Sequence, residues 1–382
     1  MENLIDYEIL KFIWWLLIGV LLVGFAIMDG HDMGVGTLLP FVGKADEERR
    51  AIINTVAPHW DGNQVWFITA GGAIFAAWPM IYASAFSGFY WAMMAVLWAM
   101  FFRPVGFDYR SKLSNPTWRK TWDWGIFVGS FIPPVIFGVA FGNLLLGVPF
   151  EYTQSLNPIY SGSFWALLNP FALLCGVVAS AMVTFHGAIY LMHRTKDPIY
   201  SRAQSWMTIS GLVTVVCFTL AGIWVAFGID GYRITSVVNL AASPDPLTKE
   251  VVRETGAWLA NYQRWPLTIL VPVLGYVGIL GAIWLAKKGK TFAAFFISAL
   301  GITGVIGTAG VSMFPFMMPS SSHLASSLTV WDSSSSHFTL FVMLIAVVIF
   351  MPIVVLYTRW AYSIMRGKVT TAYIRENKHS VY

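Results

Sequence analysis

Residues that can exchange protons or stabilise charge occur in three short stretches of the sequence. These stretches read MDGHDMGVG, APHWDGNQVW and FFRPVGFDYR. Imidazole titrates near neutral pH, and partial burial brings carboxyl groups toward the same range, so both can serve a proton relay. We interpret the following residues as candidates for a proton path or for the integrity of such a site: Asp61, Asp32, His59, Asp29, His31, Arg103 and Asp108.

A purely structural interpretation of the same residues stays open. Asp and Asn often accept hydrogen bonds from the free N–H groups at a helix start, and an arginine near a membrane commonly pairs with an acid. Asp61 is the first candidate for a relay. The glycines of DGHDMGVG are expected to permit a turn or a close approach of two helices, and their spacing does not fit a nucleotide-binding loop.

One other histidine, His186, lies well inside an apolar stretch. Axial ligation of haem requires a His, Met or Cys at a suitable depth, but a hydrogen bond between helices is the simpler interpretation. We assign no directly catalytic residue, no metal ligand and no cofactor-binding residue to this chain.

Long apolar segments position these residues. Of the 382 residues, 57% are hydrophobic and 11% are charged, whereas a water-soluble domain carries roughly 25% charge. The segments have the length of about 20 residues that a spanning helix needs, and they lack the alternation of a membrane barrel. We predict an all-α, polytopic membrane protein with residues 1–382 in a single domain, as two four-helix bundles plus one extra helix. The nine predicted transmembrane helices are 12–28, 51–78, 79–102, 122–146, 165–193, 204–228, 267–286, 291–314 and 338–362.

The distribution of positive charge predicts the orientation of these helices. Most of the 24 Lys and Arg residues fall on one side of the predicted membrane. The remaining five are Lys11, Arg233, Lys249, Arg253 and Arg264. The positive-inside rule therefore places the C-terminus in the cytoplasm and, with nine spans, the N-terminus in the periplasm. The net charge of +5 thus has a topological cause, and we expect no nucleic-acid partner.

Several longer strings resemble one known family. They include FIWWLLIGVLLVGFAIMDGHDMGVG, INTVAPHWDGNQVWFITAGGAIFAAWP, FFRPVGFDYRSK, GVAFGNLLLGVPF, FPFMMPSSS and SLTVWDSSSS. In this order they resemble subunit II of bacterial cytochrome bd-type ubiquinol oxidases over nearly the whole chain. Under the resemblance, Asp32 and Asp61 match acids linked to proton uptake or oxidase integrity, and Arg103 and Asp108 match a basic and acidic pair. His31 departs from the pattern, since an aromatic or apolar residue is typical of its position.

The resemblance implies a subunit of a quinol:oxygen oxidoreductase in the bacterial inner membrane. The partner, subunit I, would carry haems b and d, oxidise ubiquinol and reduce O2 to water. Protons would be taken up from the cytoplasm, which builds proton motive force without a pump. This chain would support subunit I within the membrane lipid and contribute to the proton path. The family also admits a structural ubiquinone and a small accessory subunit, which no residue here allows us to place.

A secondary transporter or an ion channel is the alternative from a different functional class. Such proteins usually contain broken helices or buried charge at mid-membrane. The predicted helices are instead largely uninterrupted in their central parts, and their ionisable residues gather in one layer near the cytoplasm. Without the resemblance, helical periodicity alone would leave a transporter as the default interpretation.

Overall fold

The computed structural model describes residues 5–377 and 381–382, and it is an all-α fold with short strands outside the helices. The helices are α1 Tyr7–Val42, α2 Asp46–Asn54, α3 Trp60–Ala77, α4 Pro79–Gly88, α5 Tyr90–Met100, α6 Phe102–Tyr109, α7 Pro116–Leu146, α8 Pro170–Arg194, α9 Ile199–Phe227, α10 Ala260–Arg264, α11 Leu270–Lys287, α12 Thr291–Met313, α13 His337–Ile364 and α14 Thr371–Glu376. Three antiparallel ribbons pair β1 Phe150–Tyr152 with β2 Pro158–Tyr160, β3 Asp230–Ile234 with β4 Val251–Thr255, and β5 Phe316–Met318 with β6 Leu328–Thr329.

Within the described residues, eight helical segments are long and apolar enough to cross a membrane, which makes the chain a multi-pass membrane protein. They are Tyr7–Val42, Tyr90–Lys112, Pro116–Leu146, Pro170–Arg194, Ile199–Phe227, Pro266–Lys287, Thr291–Met313 and His337–Ile364. The predicted span 51–78 is not among them. Its helical part is α3, which has 18 residues and a polar start with Asp61, Asn63 and Gln64. A ninth crossing by α3 remains a prediction.

The first helix is much longer than the predicted 12–28. It begins at Tyr7 and continues through the glycine-rich stretch to Val42, so Asp29, His31 and Asp32 lie within a helix and not after one. The glycines therefore serve close packing, one of the two roles expected of them, and not a turn. A Cβ built on Gly34 would collide with the Val183 carbonyl oxygen and lie 2.9 Å from the Gly187 Cα atom of α8. Only a residue without a side chain allows this approach.

The predicted helix 79–102 is also divided differently in the structure. Pro79 opens α4 as expected, because its missing N–H is unneeded in a first turn. The prediction of an end near Phe102 was wrong, since α6 carries the helical path on to Tyr109. Pro104 falls in the first turn of α6, where proline is tolerated. Arg103 and Asp108 consequently belong to a helix and not to a connecting loop. The other six predicted helices each match one helix of the structure.

Helices α1, α7 and α8 form the centre of the fold. α1 packs against α3, α7 and α8, while α8 also contacts α9 and α12, and α11 packs along α12. α13 packs against α1 and α3 at the periphery. Only 6% of the most apolar 18-residue stretch of this helix is buried. α13 therefore presents most of its surface to lipid or to another subunit.

Charged side chains tie the segments on the predicted periplasmic side to the helices. Lys11, buried at the start of α1, donates hydrogen bonds from Nζ to the carbonyl oxygens of Leu240, Ala242 and Trp331 at 2.9, 3.2 and 2.7 Å. Lys249 lies 2.8 Å from the Asp332 carboxylate in a second buried contact. Burial lowers the pKa of Lys249 and raises the pKa of Asp332, and the attraction between the two opposes both shifts.

On the opposite side, Glu48 of α2 anchors this short helix to α9. Its carboxylate accepts a hydrogen bond from Arg202 Nη1 at 2.7 Å and another from the Lys44 backbone N–H at 2.8 Å. Burial raises the pKa of the Glu48 carboxyl group, but these hydrogen bonds outweigh it, so the net pKa is lowered. α2 is thereby held over the ends of the helices that carry the candidate residues.

Candidate proton-transfer site

Asp29 of α1 and Arg103 of α6 form a fully buried ion pair. The guanidinium donates from Nη1 to Asp29 Oδ2 at 3.0 Å and from Nη2 to Oδ1 at 2.5 Å. Both side chains are fully buried, and Arg103 also lies 5.7 Å from the ring centre of Trp60. Such two-point contacts are the strongest kind between charged side chains. The pair joins α1 to α6 beside the other candidate residues.

Asp32, one turn further along α1, lies at the centre of a second group of polar side chains. Its Oδ2 atom accepts a hydrogen bond from Asn63 Nδ2 of α3 at 2.7 Å. Its Oδ1 atom lies 3.2 Å from His31 Nε2 and 3.6 Å from His59 Nδ1. All three partners are buried. One carboxylate therefore faces two imidazoles and an amide in a buried position.

His59, the residue before α3, connects Asp32 to two tyrosines. Its Nε2 atom lies 2.9 Å from the Tyr190 hydroxyl of α8 and 3.1 Å from the Thr55 carbonyl oxygen. Its Nδ1 atom lies 3.2 Å from Asn63 Nδ2 and 3.4 Å from the Tyr362 hydroxyl of α13. These contacts join residues of α1, α3, α8 and α13. We term the group the polar cluster; its members are Asp32, His31, His59, Asn63, Tyr190 and Tyr362.

His186 extends this arrangement toward α12. Its Nδ1 atom lies 2.7 Å from the Ser298 hydroxyl, and its ring centre is 6.1 Å from that of His31. His186 therefore makes the interhelical hydrogen bond that the sequence interpretation favoured. Among the described residues, the Nε2 atoms of both His31 and His186 lack a hydrogen-bond partner.

The structure brings five of the seven predicted residues together and leaves two apart. Asp29, Arg103, His31, Asp32 and His59 lie in one buried layer. The other two, Asp61 and Asp108, are both exposed. Asp61 precedes the buried Asn63 by two positions, which corresponds to about 200° of rotation around the helix. Asp108 lies five positions after Arg103, on the opposite side of α6. Arg103 pairs with Asp29 and not with Asp108.

Three members of the polar cluster were absent from the sequence-based set: Asn63, Tyr190 and Tyr362. Asn63 lies within DGNQ, so its polar neighbours were a usable signal. Tyr190 follows His186 by one helical turn, which places both side chains on one face of α8. Tyr362 carried no such signal, because a tyrosine near the end of a spanning helix ordinarily indicates a membrane–water interface.

A further network of charges closes the same side of the molecule. Buried Arg110 donates to Asp123 at 2.5 Å and to Asp46 at 2.9 Å, and Arg49 donates to Asp123 at 2.8 Å. These contacts join α2 to the start of α7. Each of these side chains contacts a side chain of opposite charge, so we assign the network a structural role on this side of the molecule.

Comparison with known proteins assigns this arrangement to a family. The model of the family described as cytochrome bd terminal oxidase subunit II matches residues 10–365. The chain is 55% identical over 379 residues to the cytochrome bd-I ubiquinol oxidase subunit 2 of Escherichia coli (strain K12), covering 99% of this chain and 100% of that protein. It is 53% identical to a probable cytochrome oxidase subunit 2 of Haemophilus influenzae, with the same coverage.

A solved structure supports the fold independently. The bd oxidase from Geobacillus thermodenitrificans contains a chain that matches with a TM-score of 0.67 at 13% identity, covering 92% of this chain and 98% of that one. At this level of identity the similarity concerns the fold alone. The full-length relatives are named as one subunit of an oxidoreductase complex, which implies a partner subunit. The chain therefore belongs to the cytochrome bd terminal oxidase subunit II family.

Proposed function

We propose that this chain supports a haem-bearing subunit I in the bacterial inner membrane and provides part of its cytoplasmic proton path. Haems b and d would lie in subunit I, where ubiquinol is oxidised and O2 is reduced to water. Proton motive force would arise from vectorial proton uptake without pumping. The observation that carries the proposal is the polar cluster, which places exchangeable groups within hydrogen-bond distance of one another inside the helix layer.

Each member of the polar cluster would have a distinct task. Asp32 and His59 can bind and release a proton, whereas the amide of Asn63 cannot and would hold both in position. His59 is 9% exposed and follows the turn at the predicted cytoplasmic side, which makes it the entry point. The ion pair of Asp29 and Arg103 supplies a fixed charge pair one turn from Asp32 and keeps α1 and α6 aligned.

Asp61 would carry protons outside the polar cluster, on the exposed surface of α3 that faces the partner. Its helix face continues through the exposed residues Val65, Ile68 and Phe75, at the spacing of a single helical stripe. Gly72 lies on the same stripe, and no atom comes within 4 Å of a Cβ built there. A glycine on this stripe and a polar residue at its start suit contact with another protein helix better than contact with lipid. This supports an interface with subunit I along α3.

The test is the pair of variants Asp32→Asn and Asp61→Asn, each produced together with the partner subunit. An amide keeps the shape of the side chain but cannot carry the proton, so quinol-dependent oxygen uptake should fall about tenfold or more. Haem absorption and co-purification of the partner should be unchanged. Glu254→Gln, which alters an exposed carboxylate on the predicted outer side, is the control. Normal turnover of Asp32→Asn with full haem content would contradict the proposal.

A further inference from the structure

Three potential metal-ligand atoms converge within the polar cluster. They are His31 Nε2, Asp32 Oδ1 and His59 Nδ1, and all lie within 4.8 Å of one another. Two of their separations are 3.2 and 3.6 Å. Ligand atoms at the usual zinc distances of about 2.0–2.2 Å are separated by roughly 3.3 Å in a tetrahedral site. These two separations therefore already have the size that a bound zinc ion requires.

The hydrogen bonds around each imidazole direct a lone pair into this space. His31 Nδ1 lies 3.0 Å from the Ile27 carbonyl oxygen, which can only accept, so the proton of the neutral ring resides on Nδ1 and leaves Nε2 free. His59 Nε2 has the same relation to the Thr55 carbonyl oxygen at 3.1 Å, which leaves a lone pair on Nδ1, where Asn63 Nδ2 lies 3.2 Å away. Histidines that bind metals characteristically have their second nitrogen held by a carbonyl group in this way.

Two of the three atoms, His31 Nε2 and Asp32 Oδ1, face each other without a donor between them, whereas His59 Nδ1 lies 3.2 Å from the Asn63 amide nitrogen. Among the described residues, His31 Nε2 and Asp32 Oδ1 have no hydrogen-bond partner, and both side chains are fully buried. Two lone pairs 3.2 Å apart repel each other unless a proton or a metal ion lies between them. Burial makes an unsatisfied polar atom energetically costly. The site is thus arranged to receive a positive charge.

We propose that His31, His59 and Asp32 bind a divalent transition-metal ion, with Zn²⁺ as the matching species. Two imidazoles and one carboxylate are a common zinc ligand set, with the fourth position left to water. This departs from the sequence-based expectation of no metal ligand. It rests on the proposed function in one respect: an ion at these atoms occupies the positions that a transferred proton needs, so Zn²⁺ would inhibit turnover.

The experiment uses the purified complex of this chain with its partner, stripped of metals and then equilibrated with ZnCl₂. After removal of free zinc, elemental analysis should find one Zn²⁺ per wild-type complex above the amount in His31→Gln. X-ray absorption at the zinc edge should show two imidazole ligands. His186→Gln is the matched control, because His186 is also fully buried beside His31 but contributes no ligand atom. It should retain the zinc, and haem absorption should confirm that each variant is assembled.

Stoichiometric zinc that persists undiminished in His31→Gln would overturn the metal site, and so would the absence of bound zinc in the wild type. Oxygen uptake measured with and without zinc separates this inference from the proton path. Inhibition by zinc that weakens at least tenfold in His31→Gln supports both the metal site and the proton path. Zinc bound at the site with uptake unaffected would uphold the metal site and contradict the proton path. Absence of zinc binding together with slow turnover of Asp32→Asn would contradict the metal site and support the proton path.

Discussion

Neutralising one partner of the Asp29–Arg103 ion pair tests whether paired charge holds α1 and α6 together. Asp29→Asn retains the shape of the side chain and removes its charge. The buried guanidinium then keeps its positive charge without the carboxylate that it contacts through two hydrogen bonds. Arg103→Gln makes the reverse change and leaves the Asp29 carboxylate without its charged partner. The double variant removes both charges and leaves two neutral side chains facing each other.

The expected magnitudes follow from the burial of the pair. Both side chains are fully buried, and breaking such a pair by removing one partner costs about 3–5 kcal/mol. At about 1.4 kcal/mol per factor of ten, this lowers the ratio of folded to unfolded chain by roughly two to four powers of ten. The double variant should cost less than Arg103→Gln alone, because it leaves no isolated charge behind.

The matched control is the exposed pair Arg233–Glu254, in which the side chains are 57% and 51% exposed and the charged atoms are 2.7 Å apart. Glu254→Gln should cost less than about 1 kcal/mol, because water screens an exposed pair. Unfolding midpoints of the purified complex, followed through haem absorption and gel filtration, measure all four variants. The reasoning is refuted if Asp29→Asn is as mild as Glu254→Gln, or if the double variant loses the sum of both single losses.

Two further predictions follow from the packing and from the charges around α2. Gly34→Ala should lower stability by roughly 1–3 kcal/mol or more, because its methyl group meets the backbone of α8. Gly19→Ala is the control and should be tolerated, because no atom lies within 4 Å of its added methyl group. Equal unfolding midpoints of the two variants would contradict this prediction. For Glu48, whose pKa is lowered in the folded chain, the stabilisation is complete above the ordinary glutamate pKa of about 4.3 and is lost as the pH falls through the lowered value. Glu48→Gln should therefore flatten the acid limb of a plot of midpoint against pH, and an unchanged limb would count against the role of Glu48.

Much of the fold could be predicted because membrane helices are defined by composition over many residues. The six helices from α7 onward that were predicted as spans match the structure closely, since each is one apolar run between polar connections. The errors fall where local signals conflict. Gly30, Gly34 and Gly36 suggested either a chain turn or helix contact, and sequence periodicity does not distinguish the two. The positions of α8, beside Gly30 and Gly34, and of α7, beside Gly36, show that contact was the reason.

The candidate site could be predicted as a layer but not as a set of contacts. Asp32 and His59 were recognised by residue type, and their proximity depends on how α3 approaches α1, which no local pattern encodes. Residue type makes Asp61 the first candidate, yet the helix turns its carboxylate outward and Asn63 inward. Tyr362 arrives from a helix 299 positions away along the chain, so its contact with Asn63 is wholly a property of the tertiary structure.

The polar first turn of α3 also bears on how the chain enters the membrane. A segment that starts with Asp61, Asn63 and Gln64 partitions poorly into hydrocarbon by itself, since insertion scales penalise polar and charged residues. Asn63 gains a favourable partner in Asp32 only when α1 is already in place. Insertion of α3 should therefore be cooperative with α1, so that the hydrogen bond at the centre of the site is also an assembly contact made during biogenesis.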